Sequence, residues 1–137
     1  MSEPFRITRQ VQFAETDMAG VLHFSNYFRL MEEVEHAWWR SLGLSVYMTD
    51  NARPKISWPR VNVSCEYAAP ARFEDVLELR HRITRIGDKS IDHEIEFHHD
   101  GKRIALGKMT TVCCAMTAAG FQAVTIPAEI RAKLGTS

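Results

Sequence analysis

The sequence predicts an α+β fold in which one long amphipathic helix packs against an antiparallel sheet. In five segments apolar and polar residues alternate, and after the first of them comes a segment whose apolar residues repeat with the period of a helix. Short turns join the segments that follow the helix, so we expect antiparallel neighbours. Apolar residues make up 45% of the 137 residues. This predicts a single domain over residues 1–137, with the sheet curled around the helix.

The first strand is predicted over residues 5–13, where the apolar side chains occupy odd positions. Residues 14–20 are small or acidic and interrupt the alternation, so they predict a loop. From about Asn26 the apolar residues fall on one stripe of a helix of about four turns. Gly43 follows at the position where a glycine commonly ends a helix.

The later elements are separated by turn-forming pairs of residues. Four further strands are predicted over residues 61–67, 77–84, 91–97 and 103–116. Residues 44–55 show no clear period and predict a loop. A short last helix is expected to begin at Pro127 and to end by Gly135, since proline suits the first position of a helix.

Charge and cysteine content exclude several classes of protein. The sequence has 17 basic residues (Lys and Arg) and 17 acidic residues (Asp and Glu), so its formal net charge is zero. A nucleic-acid partner is therefore not expected. Low net charge permits self-association. No run of 18 apolar residues is present, and residues 1–4 lack the pattern of a signal peptide. The three cysteines have neither disulfide-framework nor metal-site spacing. We therefore expect a cytoplasmic protein without a membrane segment, metal or cofactor.

The segment before the long helix carries the residues best suited to chemistry. Asp17 lies just ahead of the helix, with Gly20 between them. Unpaired N–H groups at a helix N-terminus can stabilise a developing oxyanion, and a nearby carboxylate can act as nucleophile or general base. The alternative is that Asp17 only caps the helix. The spacing alone does not separate these two interpretations.

Two stretches of the sequence carry a family resemblance. The first is Asp17-x-x-Gly20-x-Leu22-x-x-x-Asn26-Tyr27, with Phe13 before it and with Glu32-Glu33 and Trp38-x-x-x-Leu42-Gly43 after it. The second is Tyr67-Ala68-Ala69-Pro70-Ala71-Arg72-Phe73-Glu74-Asp75. Together they resemble the hotdog-fold acyl-CoA thioesterases. The likeness is closest to the 4-hydroxybenzoyl-CoA thioesterase group, which includes the Tol-Pal-associated acyl-CoA thioesterases.

This resemblance implies a hotdog fold, with a long central helix wrapped by a five-stranded antiparallel sheet. It also implies a homodimer or homotetramer in which two chains form one continuous sheet and build active sites at their interface. The implied reaction is hydrolysis of an acyl-CoA thioester to free acid and CoA. Asp17 would be the nucleophile or general base, and the backbone N–H of Phe24 would polarise the thioester carbonyl.

The resemblance assigns roles to further residues. Gly20 and Asn26 would shape the substrate-binding loop. The pocket for the acyl group would be lined by Ser57, Trp58 and Pro59 of the partner chain. Contacts to CoA are expected from Arg85, Lys89 and Ser90, which flank the turn at residues 87–88.

Two residues of the first stretch leave alternatives open. The Tol-Pal-associated branch commonly has Tyr-His at the positions occupied here by His23 and Phe24. His23 is therefore either an assisting residue that hydrogen-bonds the thioester or a water, or a surface residue. Glu33 is a rival catalytic carboxylate, because a separate hotdog branch uses a glutamate on the helix.

Alternatives also exist for the protein as a whole. A non-catalytic hotdog protein that binds acyl-CoA is the main one. A hydratase or dehydratase would need a different His-containing signature, which is absent. His98 and His99 do not predict a metal site, because neighbouring strand residues point to opposite faces. The identity of the acyl group, aromatic or aliphatic, is left open by the sequence.

Overall fold

The computed structural model describes residues 3–48 and 55–135, and only the backbone of Met48. In these ranges the strands are β1 (Phe5–Gln10), β2 (Tyr47–Met48), β3 (Ile56–Ser57), β4 (Arg60–Tyr67), β5 (Val76–Ile86), β6 (Ser90–His99), β7 (Lys102–Val112), β8 (Cys114–Thr117) and β9 (Gly120–Ala123). The helices are α1 (Asn26–Ser41) and α2 (Ala128–Leu134), and a single 3-10 turn spans Phe13–Glu15. None of the helices in the described ranges has the length and hydropathy of a membrane span.

The large sheet has five strands in the order β1-β5-β6-β7-β4, and every neighbouring pair is antiparallel. This confirms the predicted α+β class and the five-stranded antiparallel sheet. Helix α1 begins at Asn26, as the sequence predicts, and α2 begins directly after Pro127. A second sheet, which the sequence does not predict, has the strand order β2-β3-β8-β9.

The prediction of a single strand over residues 103–116 is wrong, because the chain leaves the large sheet at Cys113. The N–H of Cys113 donates to Lys89 O at 2.7 Å, and its carbonyl accepts the N–H of Val124 at 2.9 Å. The first bond continues the register of β6 with β7 by one residue, and the second continues the register of β8 with β9. The chain therefore continues as β8, which pairs with β3 and β9 in the small sheet.

Two shorter predictions are also corrected. The first strand ends at Gln10 instead of residue 13, because the chain turns there into the 3-10 turn and leaves Phe13 76% exposed. The predicted loop over residues 44–55 contains β2, which pairs with β3. Residues 49–54 of that loop lie outside the described residues.

Helix α1 packs its apolar stripe against one face of the large sheet. The buried residues of this helix are Tyr27, Leu30, Met31, Val34, Glu35, Trp38 and Trp39. The helix lies close to the sheet at Gly107 of β7, where a Cβ atom would lie 2.6 Å from the Met31 sulfur. A side chain at residue 107 would therefore require the Met31 side chain to move.

Below the C-terminal half of α1 lies a buried chain of polar side chains. His81 Nε2 and His93 Nδ1 are 2.8 Å apart, and His93 Nε2 lies 3.0 Å from Thr111 Oγ1. The Trp38 ring covers His81, with ring centroids 4.6 Å apart. Burial lowers the pKa of His81 to about 3 and holds the pKa of His93 well below its ordinary value. Both histidines are therefore neutral in the folded protein at pH 7.

Candidate active site

Asp17 lies in a small hairpin, which we call the Asp17 hairpin (residues 15–23). Thr16 and Leu22 form an antiparallel bridge, and Asp17 N–H donates to Val21 O at 2.9 Å. At the base of the hairpin His23 N–H donates to the carbonyl of residue 15 at 2.9 Å. These backbone bonds present the Asp17 side chain at the beginning of a tight turn.

The Asp17 carboxylate caps its own turn and not α1. Its Oδ1 accepts the N–H of Ala19 at 2.9 Å and that of Val21 at 3.4 Å. Gly20 completes the turn with φ of +80°, a conformation that residues with a side chain rarely adopt. The N-cap residue of α1 is Ser25, whose own side chain makes no capping hydrogen bond. The helix-cap interpretation of Asp17 is therefore wrong.

Ion pairs hold the base of the Asp17 hairpin against β1 and α1. Arg9 Nη1 donates to Glu15 Oε1 at 3.0 Å, and Arg9 Nε donates to Glu33 Oε1 at 2.8 Å. The hydrogen bonds with Glu33 and then Glu15 raise the pKa of Arg9. Glu33, the rival catalytic carboxylate, is thus an ion-pair partner that joins α1 to β1. It is not among the residues that line the cavity described below.

The start of α1 leaves the backbone N–H of Phe24 available. Asn26 N–H donates to His23 O at 2.9 Å, and the Asn26 side-chain amide donates to Glu15 O at 2.8 Å. Ser25 N–H donates to His23 Nδ1 at 3.2 Å, and Ser25 Oγ lies 2.7 Å from the same ring nitrogen. The N–H of Phe24 has no acceptor among residues 3–48 and 55–135.

A cavity of about 350 Å³, the Asp17 cavity, brings the two motif stretches of the sequence together. It is lined by Asp17, Val21, Leu22, Phe24, Tyr27, Tyr67, Ala68, Ala69 and Pro70. The cavity is therefore lined by one carboxylate residue and by Phe24, whose N–H is available, and its other walls are mostly apolar or aromatic. Such a site suits a substrate with an electrophilic carbonyl attached to an apolar group.

Several residues predicted to contact substrate lie away from this cavity. Trp58 is 2% exposed and packs on Trp39 inside its own chain, with ring centroids 5.0 Å apart. Its side chain is therefore not on the surface that a partner chain would cover, because its own core encloses it. Ser57 is half-buried at the end of β3, and Pro59 is exposed.

The predicted CoA contacts lie at the far end of the large sheet. Arg85 and Lys89 are exposed beside the β5–β6 turn, and Ser90 begins β6. Tyr27 of the Asp17 cavity contacts Phe97, which lies seven residues further along β6 at a ring distance of 5.2 Å. Seven residues span roughly 23 Å of strand. Within one chain, therefore, the fold does not bring these residues to Asp17.

Two tyrosines line the Asp17 cavity although the sequence does not assign them to the site. Tyr67 lines the Asp17 cavity and donates from its hydroxyl to Phe24 O at 2.9 Å. Tyr27 lines the same cavity while it packs into the core. The signal for Tyr67 is its place at the start of the second motif stretch. No group of three or more His, Cys, Asp or Glu side chains in the described ranges is placed to hold a metal ion.

Comparisons with known proteins show the family to which the chain belongs. The family model of the thioesterase-like superfamily matches residues 11–134. A protein of Aquifex aeolicus that carries the provisional name esterase is 34% identical over 128 residues, which cover 93% of this chain and 94% of that protein. A 1,4-dihydroxy-2-naphthoyl-CoA hydrolase of Synechocystis is 29% identical over 114 residues, 82% of each chain.

The solved structure of a gentisyl-coenzyme A thioesterase has the same fold, with a TM-score of 0.82 and 28% identity over 95% of this chain and 99% of that one. The region that the family model matches contains the Asp17 hairpin, α1, α2 and every strand from β2 to β9. With its carboxylate and available N–H at one apolar cavity, this chain belongs to the thioesterase-like superfamily and is a thioester hydrolase.

Proposed function

We propose that this protein hydrolyses an acyl-CoA thioester to the free acid and CoA. The observation that carries the proposal is that Asp17 lines the same cavity as Phe24, whose backbone N–H is available. Thioester hydrolysis needs a group that attacks or activates water and a donor for the oxygen that becomes negatively charged. Both groups come from one short segment, which the Asp17 hairpin holds in place.

In this mechanism the thioester oxygen accepts a hydrogen bond from Phe24 N–H, which stabilises the charge that develops there. Asp17 then acts in one of two ways. As a nucleophile, it attacks the carbonyl carbon, the CoA thiolate leaves, and water hydrolyses the resulting mixed anhydride. As a general base, it takes a proton from a water molecule, whose oxygen attacks the carbonyl carbon before the thiolate leaves.

The other residues at the start of α1 support this arrangement. Asn26 donates to Glu15 O and so ties the helix start to the base of the Asp17 hairpin. His23 uses Nδ1 to hold Ser25 N–H and is not among the residues that line the cavity. We therefore propose that His23 contributes by orienting the backbone.

An aromatic acyl group fits the cavity best. Phe24, Tyr27 and Tyr67 present rings at its wall, and a flat ring system packs well against aromatic side chains. Two of the similar proteins are named for aromatic thioesters, 1,4-dihydroxy-2-naphthoyl-CoA and gentisyl-CoA. A CoA thioester and three free cysteines favour a cytoplasmic location.

The test is release of CoA thiol from a panel of benzoyl-, hydroxybenzoyl-, hydroxynaphthoyl-, octanoyl- and palmitoyl-CoA. We expect the highest kcat/KM with an aromatic acyl group, because the ring walls contribute binding energy to it. A preference for octanoyl- or palmitoyl-CoA would contradict the aromatic assignment and leave the hydrolase in place. Saturable binding of these thioesters with no thiol release would establish the non-catalytic alternative.

We further propose that the protein works as a homodimer or a homotetramer built from it. Strand β4 is an edge of the large sheet, with Val61 63% and Val63 41% exposed along it. An exposed apolar edge is a strong site for pairing with a second chain. Two-fold pairing along β4 would place the partner's Ser57 and Pro59 beside Tyr67 and the Asp17 cavity.

We expect light scattering to give a mass of at least twice 15.7 kDa at micromolar concentration. Val63→Lys should weaken association, because it places a charge on the edge that pairs with the second chain. Val76→Lys on β5 changes a similarly exposed valine away from that edge and serves as the control. A fully active monomer would contradict the shared-site arrangement.

A further inference from the structure

The peptide group between Phe24 and Ser25 is held by a side chain at each end. Tyr67 Oη donates to Phe24 O at 2.9 Å, and Ser25 N–H donates to His23 Nδ1 at 3.2 Å. In a regular α-helix Phe24 O would accept the N–H of Phe28. Here Phe28 N–H donates to Ser25 O instead, at 3.3 Å. The carbonyl of Phe24 is therefore bound by a residue of the sheet and not by the helix that follows it.

The preceding peptide group contains the N–H that the proposed mechanism uses. Its carbonyl, His23 O, accepts the N–H of Asn26 at 2.9 Å. In a trans peptide the C=O and N–H bonds point in opposite directions, so Phe24 N–H points away from this first turn of α1. Phe24 N–H thus belongs to a peptide group whose orientation is set by a hydrogen bond, and the peptide group that follows it is also held by hydrogen bonds.

Tyr67 is itself well placed to hold a peptide group. It ends β4, where it pairs with Ala105 of β7, and its ring packs edge-to-face on the buried ring of Tyr27 with centroids 4.8 Å apart. Burial raises the pKa of Tyr67, so the hydroxyl keeps its proton and stays a donor at neutral pH. The hydrogen bond to Phe24 O therefore connects the start of α1 to a fixed point of the sheet.

We propose that Tyr67 is a positioning residue, which orients the Phe24 N–H toward the thioester oxygen by holding the adjacent Phe24 carbonyl. The inference rests on the proposed thioesterase mechanism. A donor held in advance needs no reorganisation when charge develops on the oxygen, and a displacement of about 1 Å lowers the rate strongly. Tyr67 thereby couples the second motif stretch of the sequence to the first.

Tyr67→Phe removes the hydroxyl and keeps the ring that packs on Tyr27. With the preferred acyl-CoA we expect kcat to fall about tenfold or more and KM to stay within about twofold, since the donor matters most in the transition state. Tyr47→Phe removes a hydroxyl from a half-exposed tyrosine of the small sheet and should leave both constants unchanged. The thermal midpoint of Tyr67→Phe should match that of the wild type.

Two results would overturn the proposal. One is a Tyr67→Phe variant with the kcat of the wild type. The other is a variant whose KM rises while kcat holds, because Tyr67 would then act only as a wall of the cavity.

Amide hydrogen exchange tests the same contact without any substrate. In Tyr67→Phe the Ser25 N–H should exchange about tenfold faster than in the wild type, because its peptide group has lost the hydrogen bond at the carbonyl end. Amides in the middle of α1 should be unaffected. Unchanged exchange at Ser25 would contradict the positioning role even if no thioester were hydrolysed. Failure of the wild type to release CoA thiol would count against the proposed function alone.

Discussion

Replacing Asp17 by Asn is expected to lower the turnover of a CoA thioester by about a hundredfold or more, the usual scale for loss of a catalytic acid or base. The asparagine side chain keeps an oxygen that can accept the Ala19 N–H, as Oδ1 of Asp17 does. It loses the charge that attacks the carbonyl or takes a proton from water. The thermal midpoint and the mass of the oligomer should therefore be unchanged.

Glu33→Gln is the matched control, because it neutralises the rival carboxylate by the same chemical change. Glu33 Oε1 accepts a hydrogen bond from Arg9 Nε at 2.8 Å. The variant should therefore lose part of this ion pair and keep most of its turnover. Steady-state kinetics on the same thioester compares the two variants directly. An inactive Glu33→Gln beside a fully active Asp17→Asn would move the catalytic role to the helix glutamate.

Mild acid is expected to destabilise the fold strongly through the buried pair of His81 and His93. Both side chains are neutral in the folded protein because burial lowers their pKa values, to about 3 for His81. In the unfolded chain they titrate near their ordinary value and take up protons as the pH falls below about 6.5. Their contribution to stability is therefore fully present above that value and is lost progressively as the pH falls toward the folded pKa.

For two such histidines the loss amounts to about 4 kcal/mol between pH 7.5 and pH 5. Urea unfolding at these two pH values measures it. The double variant His81→Phe and His93→Leu should show a correspondingly smaller difference between the two pH values. His36, whose pKa is lowered chiefly by burial, and Glu35, whose pKa burial raises, are retained in both proteins and cancel from the comparison. Equal pH dependence in both proteins would contradict the assignment.

The sequence by itself determined the features that depend on near neighbours along the chain. Alternation of apolar and polar residues predicted the five main strands, and the helical period predicted α1 from Asn26. The motif around Asp17 and Gly20 pointed to the superfamily that the comparisons confirm. These features were readable because side-chain direction follows the period of each element, and because a catalytic loop needs its residue types at fixed spacing.

Only the tertiary structure decided how distant residues combine. At Cys113 the chain changes its pairing from β6 to β9, although the sequence around Cys113 continues a strand pattern without interruption. Tyr67 meets Phe24 across 43 positions of sequence, and Arg9 meets Glu33 across 24. Such contacts depend on strand order and on the packing of α1 against the sheet. A sequence pattern indicates which face of its own strand or helix a residue occupies. The fold decides which other element packs against that face.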